Sequence, residues 1–121
     1  MDAVADIVRK LKKMKGVKAI FLFGSYARGT QKPLSDIDIC VVTERKISDR
    51  LKGTIASNST PVIHIALFWD MPSAVRYSAL KESKSLYVKD EQFLHDAKVA
   101  TMSEYLDFKH LIDRAIARAK A

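Results

Sequence analysis

The chain has little of several residue types, and each scarcity excludes a class of protein. A single cysteine, Cys40, cannot form an internal disulfide, so we expect a reducing, cytoplasmic location. Because the chain has only four glycines and three prolines, it has no Gly- or Pro-rich linker or repeat. The longest apolar run, residues 61–69, is far shorter than the roughly 20 residues of a membrane helix. The acids Asp2 and Asp6 near the N-terminus are unlike a signal peptide.

Positive charge is in excess. The chain has 21 Lys and Arg against 14 Asp and Glu, a net charge of +7, which favours anionic partners such as nucleotides, nucleic acid or an acidic protein surface. Much of the excess lies near the two ends, where we interpret it as the solvated faces of amphipathic helices. A nucleic-acid-binding stripe would interleave aromatic residues with the bases, and the N-terminal helix has none.

Hydrophobic periodicity predicts alternating helices and strands. The predicted elements are helix 2–15, strand 17–23, short helix 25–28, strand 36–42, helix 47–57, strand 62–68, helix 72–81, strand 85–88 and a helical segment 90–121. Thr101 and Glu104 have the spacing of a capping box, so the last segment is either one helix or two. We therefore expect one α/β domain over residues 1–121, with a core of 1–90, in which a small mixed sheet is backed by helices.

Gly24 and Ser25 lie between the first strand and the short helix. A strand that leads into a helix N-terminus presents free backbone N–H groups to an anion. Gly24 would let a phosphate approach the backbone, and Ser25 can cap the helix and donate its hydroxyl. Alone, a Gly-Ser pair is usually only a turn.

Asp36 and Asp38 open the second strand. Two carboxylates at this spacing share one face, with Cα atoms roughly 7 Å apart, and can converge on a divalent cation. Mg²⁺ prefers oxygen ligands, commonly one or two carboxylates and substrate phosphates. Ten residues separate Ser25 from Asp36, enough for a helical turn and a return loop. Adjacent strands would thus place a triphosphate at Ser25 with its metal at the carboxylates, the arrangement of phosphoryl or nucleotidyl transfer.

The stretch from Phe23 to Ile39, FGSYARGTQKPLSDIDI, resembles the signature of the minimal nucleotidyltransferases, small relatives of the DNA polymerase β superfamily. The matching positions are Gly24, Ser25, Arg28, Gly29, Asp36 and Asp38. The resemblance implies a polymerase β-like fold, Mg²⁺ (or Mn²⁺) at Asp36 and Asp38, and triphosphate at Gly24-Ser25, with Arg28 neutralising phosphate charge. It also implies a toxin–antitoxin role, since such proteins often inhibit a HEPN-domain ribonuclease, some by adding AMP to it.

His64 departs from this pattern. The family usually carries a third carboxylate on the next strand, and His64 stands at the corresponding place. The imidazole could serve as a base or a ligand, or it could be a core residue. We therefore predict a transferase that moves AMP from Mg-bound ATP to a hydroxyl acceptor, using Asp36, Asp38 and His64. The alternatives are an antitoxin that binds nucleotide and only occludes its partner, and a basic nucleic-acid-binding module. The acceptor and a homo-oligomeric state stay open.

Overall fold

The helices and strands of the described residues follow the predicted order. A computed structural model describes residues 2–24, 27, 29 and 36–120. The helices are α1 (Asp2–Lys12), α2 (Asp49–Ala56), α3 (Ser73–Lys81) and α4 (Glu91–Lys120), and the strands are β1 (Val17–Phe23), β2 (Ile37–Thr43), β3 (Ile63–Leu67) and β4 (Lys84–Val88). A 3-10 turn, Phe68–Asp70, follows β3. The short helix expected over residues 25–28 lies outside the described residues, apart from Ala27, which is buried.

The sheet is mixed, with strand order β3-β2-β1-β4. β1 pairs antiparallel with both β2 and β4, whereas β2 and β3 are parallel. The parallel pair needs a crossover, which residues 49–56 supply as α2. The predicted α/β class with a single small mixed sheet is therefore confirmed.

Helices cover both faces of the sheet. Residues of α1 and α2 pack on one face, against alternate residues of β1, β2 and β3 such as Ile20, Ile39 and Ile63. Residues of α3 and α4 pack on the other face, where Phe21 and Cys40 lie. The inner strands are buried on both faces, which explains why β1 and the second half of β2 are nearly continuous apolar runs.

The C-terminal segment is one helix, Glu91–Lys120, so of the two alternatives the one with a second helix beginning near Thr101 is wrong. Thr101 is fully buried and accepts a hydrogen bond of 3.1 Å from Arg76 Nη1. Glu104 binds Arg76 Nη2 and, at 2.8 Å, Arg45 Nη2. These two side chains therefore form tertiary contacts and do not cap a new helix. In the described part of the chain, no helix combines the length and the apolar character that crossing a bilayer requires.

Candidate active site

Gly24 ends β1 in contact with the β2 carboxylate Asp38. Its φ of +74° is one that side chains disfavour. A Cβ atom at this position would lie 2.6 Å from Asp38 Oδ2, closer than real Cβ atoms come. The preceding residue, Phe23, is the register partner of Asp38. Glycine is thus required here by backbone conformation and by close packing against a carboxylate.

Asp36 and Asp38 converge at the start of β2. Asp36 directly precedes the strand, and Asp38 is its second residue. The Asp36 side chain is 50% exposed and that of Asp38 33% exposed. Both carboxylates contact the same neighbour, His64, so the shared face expected from their spacing is present in the structure.

His64 lies on β3, directly opposite Asp38 in the parallel register. Its Nδ1 is 3.8 Å from Asp38 Oδ1, and its Nε2 is 3.7 Å from Asp36 Oδ2. These distances exceed those of hydrogen bonds, so the imidazole stands beside the carboxylates without a direct bond to them. Its side chain is 56% exposed. The interpretation of His64 as a core residue is therefore wrong.

The sheet topology explains this grouping. β1 runs antiparallel to β2, so the last residue of β1 meets the first residues of β2, and the parallel pairing brings the start of β3 to the same edge. Asp38 shares its strand face with Cys40 and Val42, which are buried under α3 and α4. The exposure of Asp38 and His64 indicates that those helices leave this end of the face open.

The donor set at this edge fits a divalent cation in part. Among residues 2–24, 27, 29 and 36–120, no group of three or more His, Cys, Asp or Glu side chains forms a metal site by itself. Asp36 and Asp38 supply two hard oxygen donors that open to solvent. This set suits Mg²⁺, which commonly takes one or two protein carboxylates and completes its shell with water and substrate phosphates.

A recess of about 130 Å³ lies beside Gly24. Its lining is Phe23, Gly24, Val75, Ser78, Ala79 and Glu82. The α3 residues among these carry no sequence motif, so sequence reasoning missed them. A larger cavity, of about 280 Å³, lies between α3 and α4 at Tyr77 and Met102, and its lining includes no acidic residue. The chemistry of the side chains, not cavity size, therefore locates the candidate site.

Other residues considered from the sequence have different environments. Ser25 and Arg28 lie outside the described residues. Cys40 is fully buried, as expected of a small apolar residue, and burial raises the pKa of its thiol. Trp69 is half-buried and donates a hydrogen bond of 2.7 Å from Nε1 to the Thr43 carbonyl, which favours a structural role over base stacking. Asp70 forms a 3.2 Å ion pair with Lys52.

Comparison with known proteins identifies the family. The model of the polymerase beta nucleotidyltransferase family matches residues 5–92. A protein of Methanocaldococcus jannaschii, provisionally named a protein adenylyltransferase, is 51% identical over 45 residues, which are 34% of this chain and 52% of that protein. The chain thus spans about half the length of this curated relative.

Solved structures share the fold along nearly the whole chain. A chain from the crystal structure of a toxin–antitoxin with AMP-PNP superposes with a TM-score of 0.75 and 21% identity, covering 99% of this chain and 98% of that one. A chain from the complex of tri-AMPylated Shewanella oneidensis HEPN toxin with MNT antitoxin gives 0.69 and 20%, covering 98% and 97%. Sequence identities this low establish a shared fold and no shared activity. The match of the family model to residues 5–92 shows that this chain belongs to the polymerase beta nucleotidyltransferase family.

Proposed function

We propose that the chain is a protein adenylyltransferase that moves AMP from Mg²⁺-bound ATP to a hydroxyl group of a HEPN-domain partner. The observation that carries the proposal is the grouping of Gly24, directly after β1, with Asp38 on β2 and His64 on β3. A tight glycine turn, a carboxylate and a proton acceptor side by side are the parts that nucleotidyl transfer needs.

The phosphates would bind at the end of β1. Gly24 has no side chain to keep a phosphate from the backbone there, and the predicted roles of Ser25 and Arg28 are to donate a hydroxyl hydrogen bond and to offset phosphate charge. Asp36 and Asp38 would hold Mg²⁺ (or Mn²⁺), which would neutralise charge on the phosphates when bound. The recess beside Gly24 places α3 next to this position, where it can contact the nucleoside.

His64 would take the proton of the acceptor hydroxyl. The hydroxyl oxygen forms a bond to the α-phosphorus of ATP, the bond from that phosphorus to the β-phosphate oxygen breaks, and pyrophosphate leaves. The proton passes to the imidazole and then to solvent, which its 56% exposed side chain can reach. Asp36 and Asp38 lie within 4 Å of the ring, so the proposed proton acceptor and the proposed metal ligands share one edge of the sheet.

The partner class comes from the relatives. One fold neighbour is in complex with an AMPylated HEPN toxin, and the curated relative is named for protein adenylylation. The net charge of +7 suits an acidic partner surface. A second candidate function is occlusion, in which the chain binds nucleotide and inhibits its partner without transfer. The presence of His64 favours occlusion, because this histidine replaces the third carboxylate that the family resemblance implies.

Mass spectrometry tests the proposal. The chain is incubated with ATP, Mg²⁺ and each HEPN-domain protein of the same genome in turn, and the mass of the HEPN-domain protein is measured over time. We expect adducts of AMP mass that depend on Asp36 and Asp38. A partner that is bound and inhibited but never modified, with ATP bound to the chain, would establish occlusion instead.

A further inference from the structure

β3 is an edge strand, and it carries His64 of the candidate active site. One side of β3 pairs with β2, and the other side is the edge of the sheet, since the strand order is β3-β2-β1-β4. Ile65 and Ala66 are only half-buried, whereas their register partners on β2, Ile39 and Cys40, are fully buried. The outer side of β3 is therefore less covered than the inner strands of the sheet.

The backbone groups of β3 alternate between the two sides of the strand. The Ile37 N–H donates a 2.8 Å hydrogen bond to the Val62 carbonyl, and Ile37 is the register partner of Ile63. In a parallel ladder, each bonding residue of one strand binds the two residues that flank its partner on the other strand. The even-numbered residues of β3 therefore bind β2, and the odd-numbered residues, among them Ile63 and Ile65, direct their N–H and C=O groups outward.

Thr60 binds the outward groups of Ile63 and leaves those of Ile65 open. The Ile63 N–H donates to Thr60 Oγ1 at 3.0 Å, and the Ile63 carbonyl accepts from the Thr60 N–H at 2.9 Å. No residue among 2–24, 27, 29 and 36–120 forms a corresponding bond with the outward N–H or C=O of Ile65. An open donor and acceptor at a sheet edge can pair with a further extended chain.

An extended chain that pairs with Ile65 would place a side chain beside His64. If one of its residues exchanges both hydrogen bonds with Ile65 in an antiparallel pairing, the next residue lies opposite His64 as a non-hydrogen-bonded pair. The Cα atoms of such a pair are about 4.5 Å apart, and the two side chains share one face of the sheet. The carboxylates of Asp36 and Asp38 lie on the β2 side of the imidazole. The added side chain would lie on its other side.

The short open length of the edge favours a peptide segment over a second copy of this chain. Thr60 closes the edge at Ile63, and the 3-10 turn Phe68–Asp70 ends the strand. The two main-chain hydrogen bonds available at Ile65 contribute little on their own, so binding requires a further contact. A side chain that enters the active site supplies that contact. The edge of a second copy would not supply an acceptor, because Ile63–Leu67 contains no hydroxyl residue.

We propose that the acceptor binds as a short extended segment that adds to the β3 edge at Ile65 and places a Ser, Thr or Tyr hydroxyl beside His64. This inference rests on the proposed function, because it supplies the route by which the hydroxyl reaches the imidazole. Main-chain hydrogen bonds hold the segment, and the pleat of the strand directs the hydroxyl to the face that carries Asp38.

Hydrogen exchange of backbone amides tests the docking without requiring transfer. In the free chain, the Ile65 amide should exchange faster than the Ala66 amide, which bonds to β2 and is the matched control in the same strand. Each HEPN-domain protein of the same genome is then added in turn, with Mg²⁺ and α,β-methylene ATP, whose α–β bridge resists cleavage. Binding of the acceptor should slow exchange at Ile65 about tenfold or more and bring its rate towards that of Ala66.

Ile65→Pro tests the hydrogen bond itself. Proline removes the outward N–H, and edge strands tolerate it where that N–H does not join the ladder. Ile65→Ala is the matched comparison, because it also removes the isoleucine side chain but keeps the N–H. The KM for the acceptor protein should be about tenfold or more higher for Ile65→Pro than for Ile65→Ala, with a smaller change in kcat. Both variants should keep the increase in melting temperature caused by Mg²⁺ and ATP.

The outcomes separate this proposal from the proposed function. Unchanged exchange at Ile65 in the presence of a protein that is AMPylated would overturn the docking proposal and leave the transferase proposal standing, and so would equal KM values for the two variants. Protection of Ile65 that grows with the concentration of the chain alone would assign the edge to a second copy and overturn the proposal. Protection by a HEPN-domain protein that is never AMPylated would support docking and refute transfer. Neither protection nor an adduct with any HEPN-domain protein would overturn both.

Discussion

His64 Nδ1 lies 3.8 Å from Asp38 Oδ1, and the two residues are register partners on parallel strands. This relationship makes His64 a member of the same surface as the carboxylates, although the sequence places it on a different strand beyond a helix. The proposed transfer, the proposed metal site and the distinction from occlusion all depend on that surface. The following predictions test it and the packing that supports it.

Asn substitutions at Asp36 and Asp38 together should abolish stabilisation by Mg²⁺ and ATP. A ligand that binds only the folded state at about 100 times its Kd adds about 2.7 kcal/mol to the free energy of unfolding, a shift of several degrees in Tm. Thermal unfolding with and without Mg²⁺ and ATP measures the shift. Asp70→Asn is the control, since it removes an exposed carboxylate paired with Lys52. A full shift in the double variant would place the metal elsewhere.

Gly24→Ala should weaken ATP binding by at least about tenfold. The new Cβ would displace the Asp38 carboxylate and strain a backbone at φ +74°. Gly53→Ala is the matched control, because Gly53 lies in α2 with no atom within 4 Å of a new Cβ. It should leave affinity unchanged and raise stability by about 0.5–1 kcal/mol. Titration calorimetry with ATP and Mg²⁺ measures the affinities of the two variants. Equal affinities would make Gly24 an ordinary turn residue.

His64→Ala should lower the rate of AMP transfer on the order of 100-fold with little change in ATP affinity, because it removes the proposed base. His64→Asp restores the carboxylate that the family resemblance implies and should transfer faster than His64→Ala. His95→Ala, an exposed histidine of α4, is the control and should behave as wild type. If all three variants transfer at the wild-type rate, His64 takes no part in proton transfer.

Glu104→Gln should reduce stability more at pH 7 than near pH 3. Hydrogen bonds from Arg76 and then Arg45 lower the pKa of the Glu104 carboxyl in the folded state. The contribution of the Glu104 carboxylate to the free energy of unfolding is therefore present above the ordinary Glu pKa of about 4.3. It is lost as the pH falls through the lower folded-state pKa. Urea unfolding of the wild type and of Glu104→Gln at each pH measures the difference in their free energies of unfolding. A difference independent of pH would indicate lost packing, not a lost charge interaction.

Cys40 should not react with thiol reagents in the native protein. It is fully buried in β2, and burial raises the pKa of its thiol, so thiolate is scarce at neutral pH. Labelling with iodoacetamide near pH 8 should proceed only in denaturant, where one label per chain is expected because Cys40 is the single cysteine. Rapid labelling of the folded chain would contradict the burial.

Local sequence patterns were sufficient to predict the order of the described helices and strands and the convergence of Asp36 and Asp38. Alternation in β2 placed Asp36 and Asp38 together, and both fall within one short stretch that begins at Gly24. Side-chain period and turn chemistry are local properties, so they can be read without knowing what each element packs against. The α/β class follows from the same patterns.

Tertiary structure decided the features that depend on long-range partners. The parallel register of β2 and β3 placed His64 opposite Asp38, and no local signal distinguishes that position from a buried one. Thr101 and Glu104 have the spacing of a helix cap, yet Arg76 and Arg45 bind them inside one continuous helix. The helical period of α4 continues to its end, whereas the sheet body covers only the first half. A sequence pattern specifies which face of an element is apolar, and only the packed chain determines whether anything covers that face.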